Sequence, residues 1–158
     1  MQKVFITGIA GFLGSHLAKK MFEAGWLVAG NDNFIGSDRC NLHQFVEFFD
    51  IDCCDLDGMQ EAMMGSDLVF HCAATAHEGL SVFSPSFITK NNYEASVSTF
   101  TAAINCGVQR IVFCSSMARY GDQVTPFTEE MRPEPVDPYG IAKYAAEETL
   151  RVLCGVHG

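Results

Sequence analysis

The sequence predicts an α/β protein built on a parallel sheet with helices on both faces. Two observations carry the prediction. Short β-rich runs alternate with helical patterns five times along the chain, the order that joins parallel strands through helical crossovers. The run "DLVFHCAA" (67–74) is also apolar enough to be buried on both faces, as expected of a strand between two helical layers.

The elements follow in order. "KVFIT" (3–7) reads as the first strand. "FLGSHLAKKMFEAG" (12–25) reads as a helix, with Leu13, Leu17 and Met21 at a spacing of four and Gly25 as its stop. "WLVAGND" (26–32) is the second strand, and a polar loop with a short helix near 38–42 follows. "QFVEFFDID" (44–52) carries the third strand, "LDGMQEAMMG" (56–65) a short helix, and 67–74 the fourth strand. After a loop at 75–84, residues 85–106 read as one long helix with Val97, Phe100 and Ile104 on a shared face. "QRIVFCSS" (109–116) is the fifth strand. A loop rich in Pro, Thr and Glu spans 121–138, and a last helix runs from about 137 to 154 with Ala142, Ala146, Leu150 and Leu153 on one stripe.

Composition narrows the functional classes. The chain has 158 residues, 48% hydrophobic and 18% charged, enough apolar material for a single core. Its net charge of -9, from 19 acidic and 10 basic residues, opposes nucleic-acid backbones and anionic membranes as partners. The seven cysteines are odd in number and contain no CxxC. They read as small buried hydrophobes in a reducing compartment, with no metal site. The start "MQKVFITG" lacks the pattern of a signal peptide. A cytoplasmic location is expected.

The first turn carries chemistry. In "FITGIAGFLGSH", Gly8, Gly11 and Gly14 follow a strand and open a helix, the context a dinucleotide fingerprint requires. Glycines let the backbone approach a pyrophosphate, and the helix N-terminus offers unpaired N–H groups. Phe12 and Leu13 are expected to face the cofactor or the core. Asp32 ends the second strand 24 residues after Gly8, close to the roughly 20-residue spacing of a ribose-binding acid. Its carboxylate would repel a 2′-phosphate, and Arg39 is the first basic residue after it, which favours NAD over NADP. The competing reading of Asp32 is a solvated turn acid.

Tyr139 and Lys143 are four apart on the last helix and therefore share a face. Such a pair alone is usually solvated surface. Here it accompanies Ser115 and Ser116 at the carboxyl end of the fifth strand, the edge at which α/β sheets bind ligands. A phenol, with a pKa of ~10, is a poor base at neutral pH; a neighbouring ammonium and a nicotinamide cation favour its phenolate. Tyr139 could then accept a proton from a substrate alcohol as hydride leaves its carbon, with Lys143 on the nicotinamide ribose and Ser116 orienting the hydroxyl. The competing reading of the serines is a polar turn.

The motifs "TGIAGFLGSH", "NDNF", "DIDCCDL", "VFHCAA", "KNNYEAS", "FCSSMARYG" and "PYGIAKYAAE" together resemble the extended short-chain dehydrogenase/reductase family, in its NAD-dependent epimerase/dehydratase branch. The resemblance covers essentially the whole chain. It implies a Rossmann-type doubly wound parallel sheet in strand order 3-2-1-4-5. It implies that Gly8, Gly11, Phe12, Leu13 and Gly14 surround the pyrophosphate of NAD, that Asp32 and Asn33 contact the adenosine ribose region, and that Asp52 and Cys53 meet the adenine. Ala73 and Ala74 would lie beneath the cofactor, with His71 structural, and Asn92 near it. Ser116, Tyr139 and Lys143 match the catalytic triad, the last two also touching cofactor.

The dehydratases of the branch carry an Asp-Glu pair where this chain has Met117 and Ala118. The resemblance therefore implies a nucleotide-sugar epimerase similar to the UDP-glucose 4-epimerases, oxidising C4 to a ketone and re-reducing it on the other face. Family members run to roughly twice this length. Residues 1–158 are accordingly expected to form an NAD-binding domain incomplete at its C-terminal end, a fragment without the small substrate domain, its fifth strand left with an open edge. The resemblance also implies a homodimer through helices 85–106 and 137–154. Two alternatives stay open: a dinucleotide-binding module without turnover, and another NAD(P)-dependent reductase or dehydratase of the extended family.

Overall fold

A computed structural model describes residues 1–157. Its elements, in chain order, are β1 (Lys3–Thr7), α1 (Phe12–Glu23), β2 (Leu27–Asn31), a 3-10 turn (Arg39–Asn41), β3 (Glu47–Phe49), α2 (Leu56–Met63), β4 (Leu68–His71), α3 (Glu78–Ser81), α4 (Pro85–Thr89), a π-helical turn (Lys90–Glu94), α5 (Ala95–Asn105), β5 (Arg110–Phe113), a 3-10 turn (Met117–Tyr120) and α6 (Pro138–His157). The chain divides into two compact units. One comprises Met1–Ala74 and Ser98–Cys114, the other Thr75–Val97 and Ser115–Gly158.

The first unit holds the whole sheet. Its five strands are parallel in the order β3-β2-β1-β4-β5, as expected. Side chains alternate across it. Val4, Ile6 and Val28 pack with Ile9 and Ala18 of the α1 layer. Phe5, Thr7, Val69 and His71 leave by the other face, and all four are fully buried. There the His71 ring stacks on Phe113 and meets the edge of Phe100, each at 5.6 Å between centroids. β5 lies at one end of the strand order with Val112 exposed.

The Thr7 hydroxyl organises the carboxyl end of β1. Its oxygen accepts N–H bonds from Cys72 and Ala73, both at 3.1 Å, which uses both lone pairs. Its proton is then given to His71 Nδ1 at 2.7 Å. That assignment puts the His71 ring proton on Nε2 and fits the structural role expected of this residue.

The second unit contains α3, α4, the π turn and α6. Asn92, 1% exposed within the π turn, accepts from Thr75 N–H at 3.0 Å and donates to the carbonyls of Thr75 and Ile88. A side chain that must reach back this way disrupts regular α-helical bonding, and π turns are found at such places. The expected single helix over 85–106 is therefore three successive segments.

Other differences have local causes. β3 is only three residues long, because residues before it turn to stack Phe45 on Phe22 and His43. The stretch read as a loop at 75–84 contains α3, closed by Ser81 Oγ donating to Glu78 O. α6 continues to His157, past the expected end near 154. Cys53 is buried as expected, its thiol pushed up to about 11, chiefly by loss of solvation; Cys40 and Cys154, by contrast, are exposed.

Thr7→Val keeps the volume and removes the hydroxyl. It should lower the unfolding free energy by about 1–3 kcal/mol, since two N–H groups lose their partner; urea denaturation of both forms measures this.

Candidate functional site

The first unit builds a backbone cradle at the carboxyl end of β1. Gly8 has φ 66°, a conformation L side chains rarely adopt. A Cβ on it would sit 2.9 Å from Ala73 Cα, so the turn after β4 lies directly against the glycine loop. At Gly14 a Cβ would collide with Gly8 O, so only glycine lets α1 begin this close to β1. Gly11 is the N-cap of α1 and supplies no side-chain cap, and no acid stands in the first turn. Ser15 N–H makes the first helical bond, to Gly11 O at 3.0 Å. The N–H groups of Phe12, Leu13 and Gly14 thus precede the helical ladder and point to where an anion would be favoured.

Phe12 is 83% exposed and Leu13 about half-exposed, so neither side chain joins the core. Beside them a cavity of about 380 Å³ is lined by Gly11, Phe12, Ser15, His16, Ser37 and Asn41. Asn41 was not singled out in the sequence, yet its Nδ2 donates to Ala10 O at 3.0 Å and fixes the loop.

Asp32 is not a solvated turn acid: it is 6% exposed. Its Oδ2 accepts from Ala10 N–H at 2.9 Å, tying the end of β2 to the glycine loop. Its Oδ1 accepts from Phe34 N–H at 2.8 Å and Ser37 Oγ at 2.7 Å. Of its roughly four lone-pair sites, one on Oδ2 remains for a ligand, and another would open if Ser37 turned away. Arg39 is committed elsewhere, bonded to Asp50 at 2.6 Å with its guanidinium 4.0 Å from the centre of the Phe34 ring.

Asn33 and Asp52 pair at 3.0 Å, and Asp52 Oδ1 also accepts from Cys54 N–H. The Cys53 side chain points inward to Asn31 Nδ2 at 3.3 Å, leaving backbone as what this position presents outward. Ala73 and Ala74 end this unit's first segment, with Ala73 held by Thr7.

The second unit contains Ser116, Tyr139, Lys143 and Asn92. α6 starts as its sequence dictates: Asp137 is the cap and Pro138 the first helical residue, and Asp137 Oδ1 accepts from Gly140 N–H at 2.9 Å and Ser81 Oγ at 3.2 Å. Tyr139 and Lys143 lie on the buried face of α6 with Ala142 and Ala146. Lys143 is 2% exposed, rare for a lysine, so this pair is not the solvated surface pair its spacing alone would describe. Asn92, with its three internal bonds, acts on the backbone of Thr75.

Ser116 Oγ caps the 3-10 turn by accepting from Ala118 N–H at 3.1 Å, which leaves its O–H hydrogen to donate. Gly140 sets how near that turn can come to α6: a Cβ there would be 2.6 Å from Ala118 O. A clamp absent from the sequence reading reinforces the packing. Glu147, one turn beyond Lys143, accepts from Ser115 Oγ at 2.8 Å and from Arg119 Nη1.

A strand–glycine loop–helix cradle with an acid at the end of β2 defines a dinucleotide-binding α/β protein. Comparison with known proteins narrows the class: the model of the NAD dependent epimerase/dehydratase family matches residues 4–158, and the chain belongs to that family. It is 32% identical to a UDP-glucose 4-epimerase of Streptomyces lividans over 160 residues, covering 99% of this chain and 49% of that protein. Among solved structures it is similar to the UDP-glucose 4-epimerase of Thermotoga maritima with UDP-glucose, at TM-score 0.95 and 33% identity, covering 99% of this chain and 52% of that one. The UDP-glucose 4-epimerase of Thermus thermophilus in complex with NAD gives TM-score 0.94 and 32% identity, with coverages of 99% and 52%. The chain spans about half the length of the curated relatives it matches. Among the described residues no helix is long and apolar enough to cross a membrane.

Gly140→Ala should separate the Ser116 turn from α6. It is expected to cost about 1–3 kcal/mol of stability by overpacking, read as a lower midpoint in thermal unfolding.

Proposed function

We propose that the protein carrying this chain is an NAD-dependent nucleotide-sugar epimerase acting at C4 of a UDP-hexose. The observation that supports this most is the buried Tyr139–Lys143 pair on α6 in the same unit as Ser116. The similarity to UDP-glucose 4-epimerases supports the substrate class.

The residues of the first unit fit NAD. Gly8, Gly11 and Gly14 clear the space a pyrophosphate needs, and the N–H groups of Phe12, Leu13 and Gly14 favour its charge. Asp32 and Asn33 hold the adenosine ribose, Asp52 and the backbone of Cys53 meet the adenine, and Ala73 and Ala74 form the floor. Arg39, the first basic residue after Asp32, pairs with Asp50, and the Asp32 carboxylate repels a 2′-phosphate.

When bound, NAD supplies a hydride acceptor that can return the hydride. Tyr139 takes the proton of the sugar's 4-hydroxyl as its C4–H bond breaks and gives a proton back when the ketone is reduced on the other face. Lys143 favours the Tyr139 phenolate by its charge and holds the nicotinamide ribose. Ser116 donates its hydroxyl hydrogen to the oxygen at C4. Met117 and Ala118 follow Ser116; neither can carry a proton, so loss of water is not supported and epimerisation is. The exposed side chains of Phe87, Ile141 and Val152 support pairing of two chains through helices 85–106 and 137–154.

Calorimetry should show NAD bound at least ~10-fold more tightly than NADP, a difference of about 1.4 kcal/mol; equal affinity would return the reading to an NADP-dependent reductase. The native protein should interconvert UDP-glucose and UDP-galactose, and Tyr139→Phe should lower kcat by ~10²-fold or more. NAD binding with no exchange across a panel of UDP-sugars would leave a cofactor-binding module.

A further inference from the structure

The ends of β4 and β5 carry a feature that the dinucleotide reading does not use. The two strands pair in parallel with His71 opposite Phe113, and a cysteine follows each. Alternation sends Cys72 and Cys114 to the sheet face opposite that of the His71 and Phe113 rings, where Cys72 packs at the margin of the Val4–Ile6–Ile9 cluster. Their sulfurs are 3.7 Å apart. Both residues are half-buried, and neither is in a disulfide. The backbone of each is pinned, Cys72 N–H to Thr7 Oγ1 and Cys114 N–H to His71 O, both at 3.1 Å.

This geometry is close to that of a bond. Residues in register on neighbouring strands have Cα atoms about 4.8 Å apart, inside the roughly 4.4–6.8 Å range of disulfides. The sulfurs need only close to about 2.05 Å, within reach of side-chain rotation, so strand pairing is kept. Cys53, in contrast, is sealed in the core.

We propose that Cys72 and Cys114 form a reversible thiol–disulfide pair that links β4 to β5, oxidised by a low-molecular-weight disulfide. One cysteine thiolate attacks a reagent sulfur; a mixed disulfide forms, the reagent S–S bond breaks and one thiolate leaves to take up a proton. The second cysteine then attacks the protein sulfur of the mixed disulfide and expels the second thiolate. Two cysteine sulfurs are oxidised, one reagent disulfide is reduced to two thiols, and excess thiol reverses both steps. The link would fix the segment entering Ala73, the residue packed against Gly8.

The native chain is incubated with oxidised glutathione, alkylated, digested without reduction and mapped by mass spectrometry. The expected result is one cross-linked species joining the Cys72 and Cys114 peptides, separated again by dithiothreitol, with two titratable thiols lost at these positions. Cys72→Ser and Cys114→Ser should each abolish the species and leave the remaining cysteine as thiol or glutathione adduct. Recovery of both peptides from the native wild-type chain as alkylated thiols, as separate glutathione adducts, or joined to other cysteines would overturn the proposal.

Discussion

The Thr7 hydroxyl is the joint on which the ligand-facing edge of the sheet depends. Parallel strands end in carbonyl and N–H groups that the ladder no longer pairs, and at the end of β4 two of those N–H groups converge on one oxygen. Because both lone pairs are taken, the hydroxyl proton goes to His71, and the His71 ring is thereby fixed in its aromatic stack with Phe113 and Phe100. With the segment after His71 held, Ala73 rests against a glycine that could carry no side chain. Core packing and the shape of the cradle are in this way one arrangement.

The second unit solves a similar problem with charge. Ser116 follows a strand, while Tyr139 and Lys143 stand on a helix. Asp137 starts that helix, Gly140 lets it approach the Ser116 turn, and Glu147 holds Ser115 and Arg119 one turn after Lys143. Arg119 also lies over the rings of Tyr120 and Tyr144. A partly buried ion pair of this kind contributes little net stability once desolvation is counted; its effect is to select one geometry.

Short β-rich apolar runs made β1, β2, β4 and β5 legible, and a spacing of four between apolar residues did the same for α1. The glycine loop was legible because spacing and context coincide. Shorter features were not. α3 has four residues, too few for a helical period to show, and the edge strand β3 yields to aromatic stacking on its flank. The π turn depends on one amide side chain that bonds Thr75, seventeen positions away in the chain, as well as Ile88, and no local pattern encodes the distant contact. Asp32 was found by its spacing, but its burial was not, since that follows from Ala10 and Ser37 closing on it. The Arg119–Glu147 clamp joins residues 28 apart and has no sequence signature at all.

The occupied carboxylate of Asp32 changes what a ligand can gain there. A ribose hydroxyl that took the place of Ser37 would exchange one hydrogen bond for another, and such exchanges leave little net free energy. For a dinucleotide held as proposed, Asp32 would then contribute modestly to affinity. Its larger effect would be exclusion: a 2′-phosphate placed there would set a second negative charge against the Asp32 carboxylate. Selectivity of that kind comes from a penalty on the wrong ligand, and it would be retained even if the favourable contact were weak.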